Sequence, residues 1–322
     1  MNQSSLKDAW AELTAYSSYV LACHIKPDGD CLGAALALGR ALRSLGKDVT
    51  VICQDPVPEN YRFLPESDTI VQGSVRRDFD VGVLIDSDQP SRVGNVAEII
   101  ASCATTARID HHLTQEDFGD IKIVQTDISS TSELITELFY ANEVSIDSSV
   151  ACMLLTGIIF DTGAFKYSSA SSRTFEIVSQ LMTAGARPAN IIRSIFESKP
   201  LRAAKLLGRA LSSMRATEDG VIVWAQITVA DFRELGVDDS DTEGIVNTVA
   251  AISGPRVVML LRETEPGTVR VSLRSRDQFD VNKIAVAFGG GGHAVASGCT
   301  IQAGLDKARE LLIAEVRRWM AS

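Results

Sequence analysis

The chain has 322 residues, 45% of them hydrophobic and 22% charged, with 31 Lys+Arg against 41 Asp+Glu and a formal net charge of −10. At roughly 150 residues per domain this length suits two domains, and the composition excludes global disorder. The negative balance excludes long duplex nucleic acid laid along a broad face, which needs many phosphates neutralised by Lys and Arg, but leaves room for a short anionic ligand in one local site.

The longest apolar run, 150–160, is too short to span a bilayer, so no membrane partner is expected. The N-terminus has no basic segment leading into an apolar one, so no signal peptide is expected. Cys23, Cys31, Cys53, Cys103, Cys152 and Cys299 contain no C-x-x-C pair and read as reduced thiols of a cytoplasmic protein. The chain has four histidines, His24, His111, His112 and His293, each beside carboxylates or glycines.

In chain order, residues 19–25 (YVLACHI) read as a strand and about 32–45 as a helix closed by Gly46. Residues 49–53, 80–86 and 106–112 read as further strands, separated mostly by helix-like stretches. This alternation predicts an α/β domain with a doubly wound, mostly parallel sheet. In such sheets ligands bind beyond the carboxyl ends of the strands. Those ends carry His24, Asp86 and Asp110–His112.

Ser130 with Glu133 forms a capping-box pattern that opens a helix. A second helix over about 148–160 delivers Asp161, and 172–215 is helical with breaks near Pro188 and Pro200. Beyond it, 221–228, 256–262 and 268–274 read as strands, with a turn at 265–267 and helices over 241–251 and 305–319. These elements predict a smaller α+β domain. The expected layout is a catalytic domain over 1–186, a helical connector over 187–217, a substrate-binding domain over 218–322, and an active site in the cleft between the domains.

His24, Asp28 and Asp30 fall within seven residues just past a strand. Asp86 and Asp88 end another strand, Asp110-His111-His112 a third, and Asp161 an apolar helix. Carboxylates gathered in one cleft repel each other unless a cation neutralises them. Mixed His and Asp donors without Cys suit Mn²⁺, Mg²⁺ or Fe²⁺. Some seven ligands exceed one open metal site and fit two divalent ions roughly 3.5–4 Å apart, which activate water and clamp phosphate oxygens. Asp88 reads instead as a cap or as a support to a ligand.

These residues resemble the four motifs of the DHH phosphoesterase superfamily. His24-x-x-x-Asp28-x-Asp30, Asp86 in VLIDSD, Asp110-His111-His112 and Asp161 in GIIFDTGAF stand for motifs one to four. SLRSR at 272–276 and Phe288–His293 resemble the glycine-rich motif of the DHH-associated domain, so the likeness covers essentially the whole chain. The two-domain length is similar to the oligoribonuclease/pAp-phosphatase (nanoRNase) branch.

The resemblance implies that His24, Asp28 and Asp86 hold one metal, and that Asp30, Asp86, His111 and Asp161 hold the other. It also implies that manganese is the usual ion, that His112 faces the substrate phosphate or leaving group, and that Asp110 orients the histidines.

Gly289–Gly292 allow close backbone approach and an anion-binding nest, though no Walker lysine follows. With Arg274 and His293 beside them, Gly290, Gly291 and Gly292 form a candidate phosphate clamp. Arg276 either joins that clamp or pairs with Asp277 or Asp280. Ser130 and Thr131 are candidates for substrate binding, although their capping role suffices.

The expected function is metal-dependent hydrolysis of short RNA, including dinucleotides such as pApA, to mononucleotides, with pAp as a further substrate. Alternatives are a cyclic-dinucleotide phosphodiesterase, a manganese pyrophosphatase, a RecJ-like exonuclease and a nucleotide-binding module without turnover. A homodimer stays open.

Overall fold

The computed structural model describes residues 3–73, 76–113, 118–197, 200–276 and 279–320. The chain divides into two compact units, Met1–Ser198 and Lys199–Ser322.

In the first unit, β1 (Ser18–Ala22), β2 (Asp48–Ile52), β3 (Val81–Ile85), β4 (Thr105–Asp110) and β5 (Ile121–Val124) form a parallel sheet in the order β2-β1-β3-β4-β5. Among the described residues, the α-helices that accompany it are α1 (Gln3–Leu13), α2 (Gly29–Ser44), α3 (Ala97–Ser102), α4 (Thr131–Ala141), α5 (Ser148–Asp161), α6 (Ser172–Thr183) and α7 (Pro188–Phe196).

Successive side chains of a strand point to opposite faces, and both faces are covered here. Tyr19, Leu21, Val83, Ile85 and Ile109 join the main core with residues of α1, α2 and α4–α7. Val20, Ala22 and Leu84 pack with Ile99 and Ile100 of α3. Burial on both sides explains why β3 is apolar at every position.

The chain leaves β1 toward β2 on one side and resumes as β3 on the other. That reversal opens a crevice beyond the carboxyl ends of β1 and β3. The flanking helices come unusually close together. A Cβ on Gly33 of α2 would overlap the Met153 carbonyl of α5, and one on Gly157 would overlap Ser132 Oγ and Asp30 Oδ1. A side chain at either glycine would push α5 away from the crevice.

The second unit has a six-stranded mixed sheet. Its strands are β6 (Arg215–Ala216), β7 (Ile222–Ile227), β8 (Val257–Glu265), β9 (Thr268–Ser275), β10 (Gly291–His293) and β11 (Ala296–Gln302), in the order β10-β11-β9-β8-β7-β6. Among the described residues, β7 and β8 pair parallel and the other neighbours antiparallel. One face packs on α11 (Val281–Ala287) and α12 (Leu305–Met320). The other face packs on α8 (Leu201–Ser212), α9 (Val229–Leu235) and α10 (Ile245–Ala250).

The predicted fold class therefore holds: a parallel, doubly covered sheet followed by a smaller mixed unit. Several details differ from the sequence reading. Helix α2 starts at Gly29 rather than 32, because the Asp28 carboxylate caps it by accepting from the backbone N–H groups of Asp30 and Cys31. The stretch 172–215 breaks into α6, α7 and α8, with Pro188 opening α7 and Pro200 standing just before α8. The single helix expected over 241–251 is a 3-10 turn, Asp239–Thr242, and α10, with Gly244 between them at φ 76°. Within the glycine-rich segment, for which the sequence suggested no strand, Gly291–His293 form a hairpin strand with β11. All six cysteines are unpaired, and no helix among the described residues is long and apolar enough to cross a membrane.

Candidate metal centre

The site is built where β1, β3 and β4 end and where α2, α4 and α5 present a terminus. His24 follows β1 and is 5% exposed. Its Nδ1 lies 2.9 Å from the Ile25 carbonyl, which can only accept, so Nδ1 carries the proton. The lone pair of Nε2 then points into the site, 3.5 Å from Asp28 Oδ2 and 3.7 Å from Asp86 Oδ2. Nε2 has no hydrogen-bond partner. A lone pair facing two carboxylates is stable only with a positive charge between them, a proton on Nε2 or a metal ion bound to it.

Asp28 uses Oδ1 to cap α2 and leaves Oδ2 toward His24. Asp30 is fully buried, and the first amides of α4 fix it: Thr131 N donates at 2.7 Å and Ser132 N at 2.8 Å. Asp86, just past β3, adopts a left-handed φ of 54° and accepts from Thr131 Oγ1 at 2.8 Å. That backbone conformation is costly for a residue with a side chain, and it concentrates at functional sites.

His111 Nε2 lies 3.0 Å from Asp161 Oδ2, at the end of α5, and 3.6 Å from Asp86 Oδ1. The first distance would allow a hydrogen bond, but the geometry does not make one, so Nε2 is a second buried imidazole nitrogen left unpartnered.

Among the described residues, three groups of potential ligand atoms each fall within 4.8 Å of one another: His24, Asp28 and Asp86; Asp30, His111 and Asp161; and Asp86, His111 and His112. Asp86 is common to the first and third. All six residues expected from the sequence as ligands are brought together.

Electrostatics show how much the cluster lacks positive charge. Burial pushes Asp30 well above the usual carboxylate range, and Asp86 and Asp161 add to it. Asp161 rises to about 6, first through burial and then through Asp86. Burial pulls both imidazoles down, but their surroundings win. His24 is pushed up to about 12 beside Cys31, Asp28 and Asp86, and His111 to about 10 beside Asp161, Asp30 and Asp86. Burial keeps the Cys31 thiol neutral, so the carboxylates carry the effect on His24. Burial opposes ionisation of Asp86 as well, yet His24, His112 and His111 hold it below the usual range. Divalent cations meet the same demand and leave the imidazoles neutral as donors. The donor set, two orphaned imidazole nitrogens among four carboxylates, fits such ions.

Asp110 is fully buried beneath the ligands and accepts five bonds. Oδ1 takes His111 N at 2.9 Å, His112 N at 3.1 Å and His112 Nδ1 at 2.7 Å. Oδ2 takes Arg108 Nε at 3.1 Å and Nη2 at 2.5 Å. Arg108 was missed from sequence, because an arginine in TARIDHH looks like an ordinary outward strand residue.

Ser130 and Thr131 are fully buried. Ser130 Oγ caps α4 through Glu133 N, and Thr131 holds Asp30 and Asp86. Asp88 Oδ1 is buried without a partner.

In the second unit, Arg274 of β9 pairs in register with Ala296 of β11, which faces His293 of β10. Its Nε donates to Asn247 Oδ1 at 3.0 Å. A Cβ on Gly290 would overlap the Gly298 carbonyl, and Gly292 has φ 142°, so close pairing with β11 requires both glycines. Gly291 and His293 are exposed. Arg276 Nη2 donates to the Ala250 carbonyl at 2.8 Å, and Asp280 caps α11; Asp277 lies outside the described residues. Cross-strand register adds Arg262 and Arg270, which share Asp239 at 2.7 Å each. With Ser272, Gly289, Gly290 and Thr300 they line a concavity of about 380 Å³.

Residues 18–158 match the DHH family N-terminal domain, and 222–322 match the DHHA1 domain. The chain is 31% identical over 299 residues to the bifunctional oligoribonuclease and PAP phosphatase NrnA of Thermus thermophilus, covering 92% of this chain and 88% of that protein. This chain belongs to the DHH family. A protein of the same name from Bacillus subtilis is 25% identical over 292 residues, 90% of this chain and 91% of that one. Among DHH-like solved structures, an exopolyphosphatase-related protein from Bacteroides fragilis superposes with a TM-score of 0.91 at 27% identity, over 98% of this chain and 96% of that one. Exonuclease RecJ bound to manganese shares the fold at a TM-score of 0.52 and 14% identity, over 100% of this chain and 95% of that one.

Proposed function

We propose that this DHH-family phosphoesterase hydrolyses short oligoribonucleotides to mononucleotides and removes a phosphate from pAp. The observation that carries the reading is the pair of orphaned imidazole nitrogens, His24 Nε2 and His111 Nε2, set among Asp28, Asp30, Asp86 and Asp161. The relatives named oligoribonuclease and PAP phosphatase supply the substrate class.

In this reading His24, Asp28 and Asp86 hold one divalent cation, and Asp30, Asp86, His111 and Asp161 the other. Manganese is the proposed ion, with magnesium as a substitute. Bound there, such ions polarise phosphoryl oxygens and lower the pKa of water.

The chain's own residues do the rest. Thr131 and the amides of α4 hold Asp30 and Asp86 at fixed orientations. Asp110 keeps the proton of His112 on Nδ1 and frees Nε2 to face the substrate phosphate or leaving oxygen. In this assignment the chemistry lies within 1–186 and substrate is held within 218–322, while of the stretch 187–217 expected as a connector α7 packs in the core of the first unit and α8 on the sheet of the second. Arg274, Gly290, Gly291, Gly292 and His293 grip a phosphate of the short chain there. Hydroxyls that already hold carboxylates or cap a helix leave Ser130 and Thr131 in a supporting role rather than in direct substrate contact.

The test is a panel assay. Purified protein with Mn²⁺ is offered pApA, di- to pentaribonucleotides, pAp, cyclic di-AMP, pyrophosphate and a long single strand in parallel. Turnover of pApA and the short ribonucleotides to mononucleotides supports the reading. Preference for cyclic di-AMP, pyrophosphate or the long strand moves the chain to the corresponding alternative. Product identity also gives cleavage polarity.

A further inference from the structure

We infer that Arg108 is a positioning residue for the hydrolytic step, acting on His112 through Asp110. This inference rests on the phosphoesterase reading above.

Arg108 sits on β4, two residues before Asp110 and so on the same face of the strand. It is 4% exposed, and Asp110 is fully buried. On that face Arg108 lies in register with Leu84 of β3, whose neighbours form an apolar cluster with α3. Placing a guanidinium there costs desolvation, and apolar residues of similar volume usually stabilise such a position equally well or better. Packing alone therefore does not account for the arginine.

Its contacts do. Nε and Nη2 both donate to Asp110 Oδ2 and pin that oxygen in place. Oδ1 is thereby turned to His112 Nδ1 at 2.7 Å and to the amides of His111 and His112. Nη2 also reaches the His112 carbonyl at 3.4 Å.

His112 has a competing acceptor, because the same Nδ1 lies 3.6 Å from Asp86 Oδ1. With the Asp110 carboxylate locked, Nδ1 stays with Asp110 and Asp86 remains free as a ligand. Without the arginine, Oδ2 loses both of these partners, the carboxylate is held through Oδ1 alone, and the imidazole can turn toward Asp86. The positive charge also offsets Asp110, so this carboxylate does not add to the four already crowded in the site.

Four variants in the Mn²⁺-loaded protein test this: Arg108→Met, Arg108→Lys, Asp110→Asn, and Arg108→Met with Asp110→Asn. Each is measured for kcat and KM on pApA, for Mn²⁺ affinity by calorimetry on metal-free protein, and for melting temperature. Arg108→Met is expected to lower kcat by about 10- to 100-fold, as losses of partners behind metal ligands do. KM and Mn²⁺ affinity should be unchanged, and Arg108→Lys should recover part of kcat. In the Asp110→Asn background Arg108→Met should cost little more, since both then act on one element.

Wild-type kcat in Arg108→Met, or an equal loss in both backgrounds, overturns the inference. A loss of Mn²⁺ affinity overturns it too, by assigning Arg108 to the ligands. If Arg108→Met does not fold, the Lys variant decides: reduced kcat with intact Mn²⁺ binding supports the role, and full kcat overturns it. Absence of pApA hydrolysis in the wild type would instead sink the phosphoesterase reading itself.

Discussion

Thr131 Oγ1 donates to Asp86 Oδ1 at 2.8 Å, joining the start of α4 to the end of β3 across 45 positions of sequence. The backbone N–H of the same threonine holds Asp30. Thr131→Val keeps the N–H and removes only the hydroxyl. The expected result is a melting curve close to wild type with activity reduced about tenfold or more, since partners behind a ligand set its orientation. Steady-state kinetics on pApA with Mn²⁺ check it; unchanged kcat and KM would show that Asp86 needs no such support.

Gly157 makes room for Asp30. A Cβ there would overlap Asp30 Oδ1 and Ser132 Oγ, inside a tightly packed α2–α5 contact. Gly157→Ala should destabilise the protein by about 1–3 kcal/mol, the usual range for overpacking a core. It should also weaken Mn²⁺ binding, because Asp30 must shift. Denaturant unfolding together with calorimetry separates the two effects, and retention of both stability and affinity would refute the packing claim.

The raised imidazoles give a sign to metal binding. Against burial, His24 is pushed up to about 12 beside Cys31, Asp28 and Asp86, and His111 to about 10 beside Asp161, Asp30 and Asp86, so without metal both imidazoles favour the protonated form. Ligation needs the neutral form, so adding Mn²⁺ should release protons and bind more weakly as pH falls. Titration calorimetry in buffers of different ionisation enthalpy reads this directly. Metal binding with no proton release would contradict the charge state assigned to the cluster.

Glu133 offers a test away from the ligands. Burial raises it above its ordinary value of 4.5, against hydrogen bonds from Ser129 and Thr174. A carboxyl raised by folding stabilises below the unfolded pKa, and that contribution is lost as pH climbs through the folded value. Glu133→Gln keeps the acceptor and removes the titration. It should melt higher than wild type at pH 8 and about the same at pH 4. A lower melting temperature at pH 8 would mean that the charged form is the one the site prefers.

Much of the site was legible because its chemistry is written in residue type and spacing. His24, Asp28 and Asp30 sit within seven residues, and the DHH triplet is contiguous. A parallel sheet then brings strand ends together by topology. What stayed hidden depends on tertiary contact. Arg108 looks like any alternating strand position until its guanidinium is found buried on Asp110. The Ser130–Glu133 pattern did announce a cap, and Ser130 Oγ does accept from Glu133 N. The Glu133 carboxylate, however, turns to the hydroxyls of Ser129 and Thr174. Short elements escaped too. The four residues of β5 carry too little pattern, and β10 is a glycine strand defined only by its pairing to β11.

His24, Asp28, Asp30, Asp86, His111 and Asp161 are proposed to hold a pair of divalent cations. Calorimetric and elemental determination of Mn²⁺ per chain, on the metal-stripped wild type and on Asp86→Ala, tests it most directly. Two ions per wild-type chain are predicted, with at most one in the folded variant and no pApA hydrolysis by it. One ion or none in the wild type, or two in Asp86→Ala with hydrolysis intact, would contradict it.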